Sequence, residues 1–229
     1  MFLHPSTEAE IRIGFPSALR RFGITHRWVC VEAPANEGKS SILKHLPAAL
    51  VQHLVRSCPA LDECSASEVI ESSVRKIRQP GAVVGGMSLR SAAADEQIPE
   101  AARFALFMAD RIIQSKKAVD LLESHSFVIQ ERGAFSTYAY QCVEGGVPFS
   151  AFETLAKMLV PARPDLMVLL SGEGDGSRAA SAYSSPPTHV LKLCAKNVAL
   201  VSTEGRTPEQ LAHCIVDAIC GRSITIPLA

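Results

Sequence analysis

The tripeptide Gly38-Lys39-Ser40 follows closely on a short apolar segment, Trp28–Glu32. It matches the end of the phosphate-loop pattern G-x4-G-K-[ST], with Ala33 where the pattern has its first glycine. In such a loop, backbone N–H groups at a helix start bind phosphate oxygens, the lysine adds charge and the hydroxyl binds Mg²⁺. G-K-S also arises in turns by chance, but its place between a strand and a helix favours a nucleotide-phosphate site. The residues predicted to line this site are Asn36, Glu37, Gly38, Lys39, Ser40 and Ser41.

Three arginines, Arg78, Arg111 and Arg132, lie at or near the ends of predicted elements. A single arginine usually stays solvated at the surface. Three at such places indicate a site for a second phosphate group, because planar guanidinium groups match phosphate oxygens. Glu131, beside Arg132, could bind Mg²⁺ directly or through water, or could orient an arginine. The alternative for Glu131 is an ordinary charge at a strand end.

Phe107 and Arg111 are four residues apart in a predicted helix, so they share one face. An aromatic ring and a guanidinium on one face can hold a base by stacking and hydrogen bonding. An isolated Phe107 would more simply belong to the core.

Four short apolar segments and one segment of alternating residue types, 74–78, are separated by helical patterns, which predicts a parallel sheet covered by helices on both faces. A ligand of such a sheet binds at the carboxyl ends of its strands. The phosphate loop, the Arg78 turn and Glu131-Arg132 all fall at that edge. The predicted strands are 28–32, 74–78, 127–130, 166–170 and 198–202.

Helices are predicted over 39–56, with Pro47 as a kink, and over 99–124, 136–142 and 149–159, with a last one beginning at Thr207. The segment 62–73 is predicted to be loop with a short helical piece. The segment 172–187, rich in Gly, Ser and Ala, is predicted to be a mobile loop.

Composition limits the remaining possibilities. The 229 residues are 47% hydrophobic, which suits one domain with a sizeable core. Lys plus Arg and Asp plus Glu both number 23, which argues against duplex nucleic acid as the main partner. No apolar run is long enough for a membrane span, and the first residues carry Glu8, Glu10 and Arg12 before any apolar run, which is unlike a secretory signal. The 7 cysteines form no C-x-x-C pair, so we expect reduced thiols and a cytoplasmic protein.

Several segments, taken together, resemble the thymidylate kinase family in order and spacing. The family patterns R-E-P-G-G, L-F-x-A-x-R, D-R-[YH] and S-[TN]-x-A-Y-Q correspond to 78–81, 106–111, 131–132 and 136–141. Pro164-Asp165-Leu166 resembles the start of the family's P-D-L-T strand. The resemblance extends over roughly residues 28–170.

The resemblance implies a three-layer α/β/α P-loop NTPase fold with a five-stranded parallel sheet and a short lid loop. Residues 1–27 would be an N-terminal extension, and 28–229 a single kinase domain with its lid at about 172–187. The implied reaction transfers the γ-phosphoryl group of ATP, with Mg²⁺, to a pyrimidine deoxynucleoside 5′-monophosphate. A homodimer is implied as well.

The resemblance also implies roles for single residues. Lys39, Glu131, Arg132 and Arg178 would act in catalysis, with Ser40 and Glu131 at the metal. The acceptor would be held by Arg78 and Arg132 at its phosphate, Phe107, Arg111 and Pro80 at its base, Tyr140 at its deoxyribose, and Thr137 and Gln141 around the nucleoside.

The sequence departs from the family's pattern around the substrates. Ala35, Gln79 and Ser171 replace carboxylates, Gly133 replaces an aromatic residue or histidine, and Arg178 is the only basic residue of the predicted lid. The acceptor could therefore be dTMP or a pyrimidine modified at position 5. Two alternatives stay open. One is a deoxynucleoside kinase, since Glu131-Arg132 is similar to the E-R-S signature of that family, although Gln79 stands where its carboxylate base is needed. The other is a nucleotide-binding protein with little catalysis.

Overall fold

The computed structural model describes residues 22–84, 87–124, 127–172, 176–222 and 225–227. Its main sheet has the strand order β2-β5-β1-β6-β7-β8, and the first five of these strands are parallel. The predicted five-stranded parallel sheet is therefore confirmed. The strands are β1 Trp28–Glu32, β2 Val74–Arg78, β5 Phe127–Glu131, β6 Leu166–Ser171 and β7 Asn197–Ser202.

Two features of the strands were not predicted. Strand β8, Thr225–Pro227, pairs antiparallel with β7 at the sheet edge. Strand β3, Val83–Val84, pairs antiparallel with β4, Met87–Ser88, in a second, two-stranded sheet. Segments this short carry no readable alternation of apolar and polar residues, which is why the sequence pattern did not reveal them.

The helices cover both faces of the sheet, as predicted. One core cluster packs α1, α2 and α9 against the side of the sheet that carries Val29, Val31 and Ile129. A second cluster lies against Met167 and Leu169 on the opposite face. The helices are α1 Lys39–Ser57, α2 Glu63–Ser73, α3 Leu89–Ala93, α4 Glu100–Ser124, α5 Ala134–Thr137, a π-helix Tyr138–Glu144, α6 Phe149–Lys157, a 3₁₀ turn Val160–Ala162, α7 Arg178–Ser184, α8 Thr188–Cys194 and α9 Pro208–Ile219.

Helix α1 includes Pro47, where a kink is predicted. Two predictions about helices need correction. The 62–73 segment is a full helix, because the Asp62 side chain accepts a hydrogen bond from the Ser65 N–H at 2.7 Å and caps it. The 172–187 segment contains helix α7, whose Ala179, Ala182 and Tyr183 side chains are buried, and is therefore not a loop throughout.

Two of the predicted segments are only partly described by the structure. Most of the 1–27 extension and the lid positions 173–175 lie outside the described residues. Among the described helices, none is both long and apolar enough to cross a membrane. All seven cysteines are free thiols in the structure.

Candidate functional site

The phosphate loop leaves β1 and enters α1 through two left-handed residues. Asn36 has φ 65° and Gly38 has φ 64°. A left-handed conformation suits glycine, and here it lets the chain turn into the helix at Lys39. The Gly38 carbonyl then accepts hydrogen bonds from the N–H groups of Ser41 and Ile42, at 2.8 and 3.0 Å. The loop therefore presents the start of a nineteen-residue helix, which favours bound anions.

The Lys39 side chain folds back across this loop. Its Nζ donates to the Ala33 carbonyl at 3.3 Å, and the residue is only 5% exposed. Burial, followed by the positive charge of Arg132, lowers the pKa of Lys39 to about 8. An incoming phosphate would restore the preference for the charged ammonium by supplying a counter-charge.

Ser40, Glu131 and Arg78 meet where helix α1 begins and strands β5 and β2 end. The Ser40 hydroxyl donates to Glu131 Oε1 at 3.1 Å, and Arg78 Nε lies 3.6 Å from the same oxygen. Strands β2 and β5 bring this about, because Arg78 and Glu131 are register partners at the carboxyl ends of both strands. The predicted meeting of the phosphate loop with the arginine edge is thus present in the structure.

The oxygens of Ser40 and Glu131 suit Mg²⁺, which prefers hard ligands and is bound in kinases by few protein groups together with substrate phosphates. The described residues contain no cluster of three or more His, Cys, Asp or Glu side chains that could hold a metal ion. A bound Mg²⁺ would neutralise phosphate charge at this place.

Arg132 is held by its backbone and by its side chain. It has φ 65°, its N–H donates to the Val31 carbonyl at 3.0 Å, and its guanidinium donates to the Ser136 hydroxyl at 3.1 Å. The guanidinium also lies over the Tyr140 ring, 5.5 Å from its centroid. Arg132 and Tyr140, both predicted for the acceptor, are therefore neighbours.

Arg111 is almost fully buried, and burial lowers its pKa. Its Nε donates to the Thr137 hydroxyl and its Nη1 to the Gln79 side-chain oxygen, both at 3.1 Å. Asp110 lies 3.8 Å from Arg111, and its other oxygen accepts the N–H groups of Gly81 and Ala82. These contacts assemble Arg111, Thr137 and the Gln79 turn in one place.

The other predicted acceptor residues are placed as follows. Phe107 is half-buried one turn before Arg111 on α4. Pro80 follows Gln79 through a cis peptide bond and is half-buried. Gln141 is buried in the π-helix, where its carbonyl accepts the Val147 N–H.

Two predicted donor-side residues contact groups outside the phosphate loop. The Arg178 side chain is exposed and donates to the Glu144 carbonyl. Glu37 accepts the Thr203 hydroxyl at 3.0 Å and so links the phosphate loop to the end of β7. Asn36 and Ser41 are exposed at the loop.

Sequence reasoning missed Glu32, a fully buried charge of the site. It is 0% exposed and accepts the Gly133 N–H at 2.6 Å and the Ser136 hydroxyl at 2.5 Å. The available signal was a carboxylate ending an otherwise apolar strand, at the edge where ligands bind. Tyr183, which reaches Glu32 from α7, carried no local signal.

A parallel α/β sheet whose first strand enters a phosphate loop, with arginines and a carboxylate at the same edge, is typical of P-loop nucleotide-binding proteins. A sequence model of thymidylate kinase matches residues 61–182. The chain belongs to the thymidylate kinase family, and this supports a nucleoside monophosphate kinase function.

Comparison with solved structures agrees on the fold. The crystal structure of thymidylate kinase from Ehrlichia chaffeensis has a TM-score of 0.58 and 17% sequence identity, covering 86% of this chain and 98% of its own. A search of curated proteins gave no match.

Proposed function

We propose that the protein transfers the γ-phosphoryl group of ATP to dTMP or to a pyrimidine deoxynucleotide modified at position 5. The observation that carries this proposal is the grouping of cationic side chains at one sheet edge. Lys39 serves the donor phosphates, and Arg78 and Arg132 serve the acceptor phosphate. Since an acceptor phosphate is already a nucleophile, positioning and charge neutralisation are sufficient for catalysis.

The acceptor base would lie against α4. Phe107 and Arg111 are one turn apart there, and Thr137 and Gln79 fix the Arg111 guanidinium by hydrogen bonds. Tyr140, beneath Arg132, would contact the deoxyribose. Pro80 and Gln141 complete the proposed acceptor site. Mg²⁺, held by Ser40 and Glu131 together with the phosphates, would offset charge during transfer.

The buried amide of Gln79 argues against a deoxynucleoside kinase. That reaction needs a base for the 5′-hydroxyl, and an amide cannot accept its proton. The Gln79 oxygen is also already bonded to Arg111. An acceptor that carries its own phosphate needs no such base.

The proposal is tested by measuring ADP release from Mg-ATP with dTMP, dUMP, dCMP, 5-hydroxymethyl-dUMP and free thymidine. We expect release with one pyrimidine monophosphate and loss of it in Lys39→Ala and Arg132→Ala. Matched controls are Lys117→Ala and Arg56→Ala, which remove exposed cations from helices. Release with thymidine alone would favour the deoxynucleoside kinase. Binding of ATP or a monophosphate without any release would favour a nucleotide-binding protein.

We further propose a cytoplasmic homodimer with 28–229 as its kinase domain and 172–187 as its lid, Arg178 being the lid's cation. Sedimentation equilibrium checks the dimer, since a monomer mass at micromolar concentration would contradict it. Arg178→Ala should raise the KM for ATP and leave that for the acceptor unchanged.

A further inference from the structure

Glu32 is a buried carboxylate whose hydrogen-bond partners come from distant parts of the chain. Its Oε1 accepts the N–H groups of Gly133 and Ser136 at 2.6 and 3.1 Å. Its Oε2 accepts the Ser136 hydroxyl at 2.5 Å and lies 3.4 Å from the Tyr183 hydroxyl. A buried charge is tolerated only when it is paired and hydrogen-bonded in this way.

The Ser136 hydroxyl links this carboxylate to Arg132. The Ser136 hydroxyl has one proton, and the short distance to Glu32 Oε2 shows that Ser136 donates this proton to the carboxylate. Its oxygen accepts from the Arg132 guanidinium at 3.1 Å and lies 3.1 Å from the Tyr183 hydroxyl. Because Ser136 has no second proton, Tyr183 must be the donor, either to Ser136 or to Glu32.

Tyr183 comes from α7, within the proposed lid. Its side chain is 1% exposed, and its ring meets that of Phe135 edge-on at 5.0 Å. The beginning of α7 is fixed separately, since the Ala179 N–H donates to the Glu144 carboxylate at 3.0 Å. Helix α7 is therefore bonded to Glu144 of the π-helix at its start and, through the Tyr183 hydroxyl, to Glu32 and Ser136 near its end.

We propose that Tyr183 is a positioning residue that acts through Ser136 and Glu32 to fix the Arg132 guanidinium, so that the lid helix and the acceptor-phosphate arginine share one buried anchor. This inference rests on the proposed function for the role of Arg132 at the acceptor. The tie between α7 and the Arg132 turn is independent of that role.

The link between helix α7 and the Arg132 turn is tested without any ligand. Tyr183→Phe keeps the ring packed on Phe135 and removes only the hydroxyl. We expect the Gly133 and Ser136 amides, which Glu32 accepts, to exchange with solvent about tenfold faster, since a hydrogen bond to a charged group is lost. The control is Tyr138→Phe, which removes a hydroxyl from a ring that also packs on Phe135 but makes no hydrogen bond to Glu32. Unchanged exchange at both amides in Tyr183→Phe would overturn the proposal.

The effect on Arg132 is tested by calorimetric binding of dTMP and of ATP. Tyr183→Phe should weaken the binding of dTMP about tenfold and the binding of ATP by less than about twofold. In an Arg132→Ala background the same change should have no further effect on dTMP. An equal loss of dTMP affinity in the Arg132→Ala background would overturn the proposal. Equal weakening of ATP binding and dTMP binding would also overturn it, because a general loss of structure would have that effect. Absence of dTMP binding by the unmodified protein would count against dTMP as the acceptor, and amide exchange alone would then test the link between α7 and the Arg132 turn.

Discussion

Gly133 departs from the family pattern, and the structure supplies the reason. A Cβ at this position would lie 2.9 Å from Cys30 Sγ and 3.0 Å from Gln130 Nε2. Gly133→Ala should therefore destabilise the protein by about 1–3 kcal/mol through overpacking, measured by urea unfolding. Adding Cys30→Ala removes the sulfur and should recover part of that loss. A Gly133→Ala variant as stable as the unmodified protein would contradict this account.

The residues of the site differ in how far the sequence could predict them. Lys39, Ser40 and Arg132 were predictable because motif and position after a strand define them. The hydrogen-bond network of Glu32 was not, because its side-chain partners Ser136 and Tyr183 lie 104 and 151 residues further along the chain. A buried polar network depends on which distant groups the fold brings together, and a local pattern does not contain that information.

Asp110 joins helix α4 to the turn that follows β2. Its Oδ1 accepts the Gly81 and Ala82 N–H groups at 2.8 and 2.6 Å, and the residue is fully buried. Asp110→Ala should cost about 2–4 kcal/mol in urea unfolding, because two backbone donors lose their acceptor. The control on the same helix is Asp120→Ala, at an exposed ion pair with Lys116, which should change stability by less than about 1 kcal/mol. Equal losses in the two variants would show that the link between α4 and the turn contributes little.

At the scale of elements, the five parallel strands were predictable and the small helices after β6 were not. Strands β1, β5 and β6 are short apolar runs, which is the pattern of a buried strand, and β2 was predicted from its alternation of residue types. Helix α7 buries mainly alanines beside Tyr183, so its inner face lacks the large apolar residues that mark a helical period. Its burial in the second core cluster, rather than local preference, makes the segment helical.

At the scale of the whole molecule, the carboxyl and amino ends of the parallel strands have different roles. The carboxyl edge holds the phosphate loop and the arginines. At the opposite edge Asp165, just before β6, accepts the N–H groups of Arg27 and Trp28 at 3.2 and 3.1 Å and pairs with Lys196 at 2.7 Å. The starts of β1, β6 and β7 are therefore joined through one carboxylate, away from the site.

His26 adjoins this second edge and makes the stability of the molecule depend on pH. Burial lowers its pKa below the ordinary 6.5, an effect that the nearby Asp165 charge only partly opposes. The unfolded chain therefore binds this proton more readily, and the contribution of His26 to stability is lost as the pH falls through 6.5 toward the lower folded pKa. Urea unfolding at pH 7.5 and 5.5 should show a smaller fall in stability for His26→Gln than for the unmodified protein. An identical fall in the two proteins would mean that burial of His26 does not contribute to the acid sensitivity of the fold.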